Sequence, residues 1–150
     1  MPAKIRELEE HEMPEPMLLT KEERQKTRTL YQTVFSEDSQ KFVDFYYEYK
    51  IRDNHIYALW EDEQYVSMVH LNPYTMIVNG YEVSSNYTVA VATLKDYRHR
   101  GYMRLLLETV LRQMAVDKMP FTFLMPASES IYTPFDFVWI SQFTELPMRV

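Results

Sequence analysis

A strand, a loop and a long helix follow one another between residues 86 and 114, and this order constrains the fold more than any other part of the sequence. From Asn86 to Thr93, tyrosine and valine alternate with threonine and alanine, as in a strand with two different faces. A short apolar strand, Pro120–Pro126, follows the helix. A strand, a helix and a second strand in this order predict a βαβ unit with parallel strands. The helix has a single apolar stripe, formed by Met103, Leu106, Leu107, Val110, Leu111 and Met114.

Two more helices are predicted ahead of this unit. Thr20 is a typical N-cap residue and acidic residues follow it, so a first helix is expected over Lys21–Phe35. Ser36–Ser39 ends that helix and caps a second one, which ends near Arg52–Asn54. The inner face of the first helix is expected to carry Leu30, Tyr31, Val34 and Phe35. The apolar positions of the second helix are Phe42, Val43, Phe45, Tyr46 and Tyr49.

Hairpin-linked strands are predicted between the second helix and the βαβ unit. His55–Trp60 and Tyr65–Val78 are rich in β-branched and aromatic residues, and the polar turn Glu61–Gln64 separates them. Asn79-Gly80 is a strong signal for a two-residue hairpin turn, and it joins Val78 to a strand that begins at Tyr81. Strands joined by such short turns are antiparallel, so the sheet is expected to be mixed.

The two ends of the chain predict less regular structure. Residues 1–19 form an N-terminal segment in which Ile5–Leu8 could pair as a first strand. At the other end we expect a short helix over Ser128–Tyr132 and a final strand region over Val138–Val150.

Composition excludes several classes of function. The chain has no cysteine, which rules out disulfides and thiolate metal sites and fits a cytoplasmic location. A formal net charge of −6 argues against nucleic-acid binding. The charged first ten residues lack the apolar core of a signal peptide, and no apolar run approaches the roughly 20 residues that cross a bilayer. We therefore expect neither a membrane nor a nucleic acid as partner.

A basic cluster, Arg98-His99-Arg100-Gly101, lies where the strand gives way to the long helix. The N-terminus of a helix presents unpaired backbone N–H groups and partial positive charge, which favour phosphate. Gly101 lets an anion approach the backbone without a Cβ in the way. Neither the Walker A nor the Gly-x-Gly-x-x-Gly pattern occurs. The segment therefore reads either as a pyrophosphate cradle or as a solvated turn without function.

Residues 89–104, VAVATLKDYRHRGYMR, resemble motif A of the Gcn5-related N-acetyltransferase (GNAT) family, Arg/Gln-x-x-Gly-x-Gly/Ala. Arg98 and Gly101 occupy its two leading positions, and Met103 stands where a small residue is usual. This pattern, a large residue followed by arginine, resembles the one that the Eis-like acetyltransferases often carry at the same position. Residues 131–137, IYTPFDF, resemble the family's Leu/Ile-Tyr-x-x-Phe/Leu-Gly-Phe segment, with Asp136 in place of the glycine.

The resemblance implies an α/β (α+β) fold of the acyl-CoA N-acyltransferase type, in which a mixed, mostly antiparallel sheet is flanked by helices around a central βαβ unit. It implies acetyl-CoA as cosubstrate, with the pantetheine arm pairing along Val91–Thr93 and a nearby backbone N–H as oxyanion donor. Tyr132 matches the tyrosine near the coenzyme A sulfur, the general acid. The cofactor-binding residues implied are Val91, Ala92, Thr93, Arg98, His99, Arg100, Gly101, Tyr102, Met103, Arg104 and Ser128.

The expected activity is transfer of an acetyl group to a primary amine of a small molecule or peptide. The alternatives are a non-catalytic acyl-CoA-binding module and a structural interaction domain. By the same resemblance, residues 20–150 form the GNAT domain, which ends after its sixth strand as an N-terminal domain of a longer protein would. A sheet edge left open there can pair with a second copy, giving a homo-oligomer.

The general base and the acceptor pocket stay open at this point. Candidates for the base by residue type are Glu82, Glu129, Asp136 and His70. Aromatic residues that could line an acceptor pocket are Tyr46, Tyr49, Trp60 and Tyr74, although each also fits a place in the core.

Overall fold

The computed structural model describes residues 12–141 of the chain. The strands are β1 (Met17–Leu18), β2 (His55–Glu61), β3 (Gln64–Val78), β4 (Tyr81–Thr93) and β5 (Thr122–Phe123). The α-helices are α1 (Lys21–Gln25), α2 (Arg28–Val34), α3 (Gln40–Tyr49), α4 (Tyr102–Val116) and α5 (Glu129–Tyr132). Single 3₁₀ turns span Lys50–Arg52, Lys95–Tyr97 and Thr133–Phe135.

The five strands form one sheet in the order β1-β2-β3-β4-β5. The first four pair antiparallel with their neighbours, whereas β5 runs parallel to β4. The helix that connects β4 to β5 is α4, so the predicted βαβ unit is confirmed. The mixed, mostly antiparallel sheet is confirmed as well.

Helices cover both faces of the sheet. The small helices α1–α3 pack on one face, where Leu30, Val43 and Tyr47 are buried with Ile56 and Met68 of the sheet. Helix α4 covers the other face, and its stripe is confirmed: Leu106, Leu107 and Val110 are each 1% exposed. Burying an apolar side chain of this size contributes about 1.5–3 kcal/mol, so these residues hold the layers together.

The predicted helix over Lys21–Phe35 is in fact two helices, because Thr27 interrupts it. The Thr27 side chain is fully buried, and its hydroxyl donates to the Arg24 carbonyl at 2.7 Å. That carbonyl would otherwise accept from the next turn of a continuous helix. The same hydroxyl lies 2.9 Å from the Tyr47 hydroxyl on α3. A tertiary contact therefore divides the helix, and Thr20 caps its first half as predicted, through a capping box with Glu23.

The buried face of α3 differs from the prediction. Val43, Tyr46 and Tyr47 are buried, at the i, i+3, i+4 spacing of one helical face. Phe42, Phe45 and Tyr49 were expected among the apolar positions of the core but are about half exposed. Six apolar side chains in eight residues cover too wide an arc for one face, so some of them must point to solvent.

Both predicted hairpin turns are present. Asp62 and Glu63 join β2 to β3 with φ of 51° and 60°, and Asn79 and Gly80 join β3 to β4 with φ of 50° and 83°. Positive φ at both central positions is the geometry of a type I′ hairpin turn. Tyr81 begins a single strand that runs to Thr93, without the break expected before Asn86.

The ends of the chain depart from the predicted strands. The first strand is Met17–Leu18, which pairs with β2, while Ile5–Leu8 lies outside the described residues. The second strand of the βαβ unit is confined to Thr122–Phe123 within the predicted Pro120–Pro126. Residues 138–141 are not part of a strand, and the rest of the predicted final strand region lies outside the described residues. No helix among residues 12–141 is long and apolar enough to cross a membrane.

A buried histidine on β3 makes the stability of the fold sensitive to acid. Burial lowers the pKa of His70 to about 3, and its Nδ1 lies 2.8 Å from the Tyr46 hydroxyl. The unfolded chain, with a histidine pKa of about 6.5, takes up a proton below that pH while the folded protein does not. The free energy of unfolding should therefore fall by about 1.4 kcal/mol per pH unit between about pH 6.5 and pH 3 from this group alone.

Urea unfolding at pH 7 and pH 5 measures this effect. Between pH 7 and pH 5, the free energy of unfolding of the wild type should fall by about 2 kcal/mol more than that of His70→Gln. Equal losses in both proteins would show that His70 is not responsible.

Candidate active site

Strands β4 and β5 diverge after two paired residues. Their parallel pairing consists of Asn86 with Thr122 and Tyr87 with Phe123. Among the described residues, β5 does not pair with β4 beyond Tyr87, although β4 continues to Thr93. One edge of β4 over residues 88–93 is thus left without a neighbouring strand. An extended ligand can add to such an edge through its own hydrogen-bonding groups.

A β-bulge lies within this open part of β4. Met68 pairs with Ala92 and His70 pairs with Val89, so the single residue Val69 faces both Ala90 and Val91. Ala90 has φ of 51°, in the left-handed region that L-residues with a Cβ avoid. Such a conformation costs on the order of 1–2 kcal/mol, which the surrounding sheet must offset. The bulge turns the backbone of residues 90–91 away from the regular ladder.

The strand ends in the loop that contains the basic cluster. Arg98 donates from Nε to the Thr93 carbonyl at 3.0 Å, which closes the loop back onto the strand. His99 and Gly101 both have positive φ, 63° and 84°. Gly101 is left-handed and leads directly into helical Tyr102, and a left-handed residue beside a helical one aims successive N–H groups toward one point that favours anions. The side chains of Arg98, His99 and Arg100 are exposed around it.

Gly101 is the N-cap of α4, and no side-chain hydrogen bond caps this end of the helix within residues 12–141. A Cβ placed on Gly101 would meet only the Met13 methyl group, at 3.9 Å. The backbone around Gly101 is therefore open to a ligand. Arg104, in the first turn, is exposed, pairs with Glu108 at 3.3 Å and stands 4.8 Å from the Phe135 ring centre.

Three predicted cofactor-binding residues have side chains that belong to the interior. Tyr102 is 1% exposed and Met103 packs half-buried against the core beneath α4. Ala92 is also buried, on the opposite face of the sheet, with α1–α3. Only the backbone groups of Tyr102 and Ala92 remain for a ligand.

The loop is anchored to the turn between β2 and β3, a feature that the sequence analysis missed. The Tyr97 hydroxyl donates to the Asp62 carboxylate, and the Tyr102 hydroxyl donates to the Glu61 carboxylate. Arg100 stands over the Tyr97 ring, 4.9 Å from its centre. We call this set the tyrosine clamp. Its partners lie 35 and 41 residues apart in sequence, so no local pattern could have revealed them.

Tyr132 is half-buried at the end of α5, in the same cluster as Val91 and Met103. Its ring meets Phe137 edge-on at 5.7 Å. Burial, and then the nearby Tyr87 phenol, raise the pKa of Tyr132 above its ordinary value of 10. The phenol therefore keeps its proton at neutral pH and can donate it there as an acid.

The turn after Tyr132 tolerates the residue that replaces glycine in the family pattern. Asp136 has φ of 64°, and its backbone N–H donates to the Thr133 carbonyl at 3.1 Å. Aspartate is among the few residues with a Cβ that adopt this conformation readily. The turn therefore forms with Asp136 in place.

Ser128 precedes α5, and its hydroxyl lies 3.0 Å from that of Ser130. Both line an open depression of about 630 Å³ together with Glu129, Thr133 and Pro134. The candidate bases Glu82, Glu129 and Asp136 are exposed.

His70 was a further candidate base, and its burial argues against that role. Its side chain is 0% exposed, and its two ring nitrogens lie against the Tyr46 hydroxyl and the Met68 sulfur. An acceptor amine cannot reach either nitrogen.

Comparison with known proteins agrees with this geometry. Residues 15–140 match the family model for the acetyltransferase (GNAT) domain. No curated protein sequence matches the chain.

Solved structures share the fold. A conserved protein of unknown function from Enterococcus faecalis, described as a probable N-acyltransferase, has a TM-score of 0.74 at 21% identity. That match covers 83% of this chain and 32% of the other, so the chain spans about a third of the length of that protein. A predicted acetyltransferase from Clostridium acetobutylicum, solved with acetyl-CoA, has a TM-score of 0.75 at 11% identity and covers 90% of this chain and 96% of its own.

A third solved structure carries a ligand that joins both halves of the reaction. AAC(6′)-Iy, in complex with the bisubstrate analogue CoA-S-monomethyl-acetylneamine, has a TM-score of 0.73 at 12% identity, over 93% of this chain and 100% of its own. The family match spans well over half of the chain, and the fold, the parted strands and the open helix N-terminus agree with it. The chain belongs to the GNAT family of acetyltransferases, and the fold and enzyme class predicted from the sequence are confirmed.

Proposed function

We propose that this chain transfers the acetyl group of acetyl-CoA to a primary amine. One observation carries the proposal: within residues 12–141, an edge of β4 that has no strand partner leads directly into a loop and an uncapped helix N-terminus. An extended arm that ends in phosphates matches this arrangement, since the arm can pair with the strand while the phosphates meet the helix. Acetyl-CoA has that shape, and the Clostridium acetobutylicum structure contains it.

In this proposal the pyrophosphate binds the backbone N–H groups of residues 101–104, with Arg98, His99 and Arg100 around it. The pantetheine arm pairs with Val91, Ala92 and Thr93. The uncapped helix end and the two positive-φ residues of the loop support the first assignment. The missing β5 partner supports the second. Ser128, at the start of α5, is proposed as a further contact.

The chemistry follows from these positions. The neutral amine nitrogen attacks the thioester carbon, and a new C–N bond forms as the carbonyl oxygen takes up negative charge. A backbone N–H at the bulge, near Val91, stabilises that oxyanion. The C–S bond then breaks, and Tyr132 donates its proton to the departing thiolate. The amine's proton leaves to a base, so that N-acetylated product and CoA are released.

A second function, a non-catalytic acyl-CoA-binding domain, is favoured by one observation. Of the four candidate bases, His70 is sealed in the core, and the three carboxylates are exposed rather than directed at Tyr132 by a hydrogen bond in residues 12–141. The chain also spans about a third of the Enterococcus faecalis protein. If a further domain supplied the base, this chain would bind acyl-CoA by itself and transfer acetyl groups only together with that domain.

Three finer assignments belong to the same proposal. Met103 followed by Arg104 supports an Eis-like subfamily. The absence of cysteine supports a cytoplasmic location. Pairing between copies through the outer edges of the sheet belongs to the same proposal, because an unpaired edge can accept another strand.

Acetyl-CoA should raise the melting temperature of the protein. A ligand at 100 times its Kd stabilises the folded state by about 2.7 kcal/mol, which for a domain of this size is about 8 °C. Thermal unfolding with 1 mM acetyl-CoA measures this shift, and AMP at the same concentration is the control that lacks the pantetheine arm.

The absence of a shift would contradict both the acetyltransferase and the acyl-CoA-binding proposals. A shift without release of free thiol, in the presence of a panel of primary amines, would favour the non-catalytic domain.

A further inference from the structure

Three aromatic rings gather where β4 and β5 part. Tyr87 and Phe123 are opposite each other in the last parallel pair, and their rings stack with centres 5.3 Å apart. The Tyr74 ring meets both of them edge-on, at 6.2 Å from Tyr87 and 5.9 Å from Phe123. We call these three residues the aromatic wall.

The wall stands on the sheet face that carries α1–α3, opposite α4. Tyr74 follows His70 by four residues on β3, and alternate residues of a strand share a face. His70 contacts Tyr46 of α3, which fixes that face as the one covered by the small helices. Lys50, just after α3, reaches over the Tyr74 ring at 5.9 Å from its centre.

The wall is open rather than part of the core. Tyr74 is 43% exposed, and Tyr87 and Phe123 are half-buried, whereas Tyr47 and Tyr102 are fully buried. None of the three belongs to either of the two core clusters of the described residues. Aromatic rings left partly open in this way are available to pack against a ligand.

The position of the wall relates it to the acetyl group. The bulge follows Val89 and includes Val91, which lie two and four residues beyond Tyr87 on β4. At about 3.3 Å per residue, the bulge lies about 7–13 Å from Tyr87 along the strand. Tyr132 packs in the same cluster as Val91 and is close enough to the Tyr87 phenol for that group to raise its pKa. An amine that reaches the bulge therefore has its body near the wall.

The charge beside the wall narrows the kind of acceptor. The Lys50 ammonium lies against one ring of the wall, that of Tyr74. A polyamine or an aminoglycoside carries several ammonium groups, and like charges repel at this range. The single amine of a monoamine must be neutral and at the bulge in order to react, so the rest of the molecule brings no further charge toward Lys50 and can bury its apolar surface on the rings.

We propose that the aromatic wall binds the apolar body of the acceptor, and that the acceptors of this chain are arylalkyl monoamines. This inference rests on the proposed acetyl transfer, because it places the acceptor relative to the acetyl group. Phenethylamine, in which two methylenes separate amine and ring, is a suitable probe.

Two titrations followed by kinetics test the proposal. Calorimetry with acetyl-CoA shows whether the cofactor binds, and calorimetry with phenethylamine, with and without CoA, shows whether the wall binds its ligand. With acetyl-CoA saturating, phenethylamine should have a kcat/KM about tenfold or more above that of spermidine, since tenfold corresponds to about 1.4 kcal/mol. Tyr74→Leu and Phe123→Leu should raise the KM for phenethylamine about tenfold and leave the Kd for acetyl-CoA unchanged.

Tyr81→Leu is the matched control, because Tyr81 lies on the same strand as Tyr87 but is 76% exposed near the hairpin turn. Lys50→Met should raise the kcat/KM for spermidine more than that for phenethylamine. The wall assignment is wrong if spermidine is the better acceptor, if Tyr74→Leu leaves the KM unchanged, or if phenethylamine binds neither form of the protein. Failure of acetyl-CoA to bind would instead contradict the proposed function, so the two failures are distinguishable.

Discussion

Replacing Tyr132 with phenylalanine should lower kcat about 100-fold while the Kd for CoA stays within about twofold, the lower end of what a general acid contributes. The substitution removes the hydroxyl but keeps the ring that packs against Phe137 and the core beneath α4. Because burial raises the pKa of Tyr132, the wild-type phenol holds its proton across the neutral range and can protonate the thiolate there. The thioester must still bind normally in the variant, since no proposed pantetheine contact is lost.

The measurement is the rate of thiol release with an accepted amine, beside calorimetry with CoA. Tyr49→Phe is the control for loss of a phenol elsewhere, because Tyr49 is about half exposed on α3 and contacts Phe45 and Arg52. A Tyr132→Phe enzyme with wild-type turnover would reject the role of acid. A variant that loses CoA affinity and turnover together would assign Tyr132 to binding.

Replacing Gly101 with valine should weaken CoA binding about 100-fold, which corresponds to about 2.7 kcal/mol. Gly101 has φ of 84°, where a β-branched residue is strained. The new side chain would also stand beside the N–H groups that are proposed to hold the pyrophosphate. The unliganded protein should lose about 1–2 kcal/mol of stability from the backbone conformation alone.

The chain offers a matched control for that strain. Gly80, the other glycine, has φ of 83° at the β3–β4 turn, and nothing lies within 4 Å of a Cβ placed there. Gly80→Val should lose a similar amount of stability but bind CoA with unchanged Kd. Calorimetry and thermal unfolding of both variants separate strain from ligand contact. Equal CoA affinities in the two variants would remove the helix N-terminus from the binding site.

Local patterns were sufficient for much of the fold. The stripe of α4 spans about three turns, so its period is unambiguous, and Asn79-Gly80 adopts the positive φ that its turn requires. The order of strand, helix and strand determined the parallel pair. The loop that ends in Gly101 was located correctly for the same reason, since a strand end and a helix start define it on both sides. Whether its N–H groups bind CoA stays a prediction.

Features that depend on distant contacts were not predictable. The division between α1 and α2 follows from the buried Thr27 hydroxyl, which meets Tyr47 on another helix. The exposed side of α3 could not be chosen because aromatic residues surround most of that helix. The aromatic wall joins Tyr74, Tyr87 and Phe123, which come together only when three strands align. Tertiary packing decides such cases and overrides local preference.

The tyrosine clamp makes two distant segments of the chain depend on each other. A change at Asp62 or Glu61 alters what Tyr97 and Tyr102 can donate to, and so shifts the shape of a loop that neither carboxylate belongs to. The effect of a mutation on one side of the clamp then depends on the residue present on the other side, because each hydroxyl needs its carboxylate partner. Substitutions in the turn and in the loop should therefore occur together during evolution. A loop transferred into a relative without its turn would lose these two hydrogen bonds.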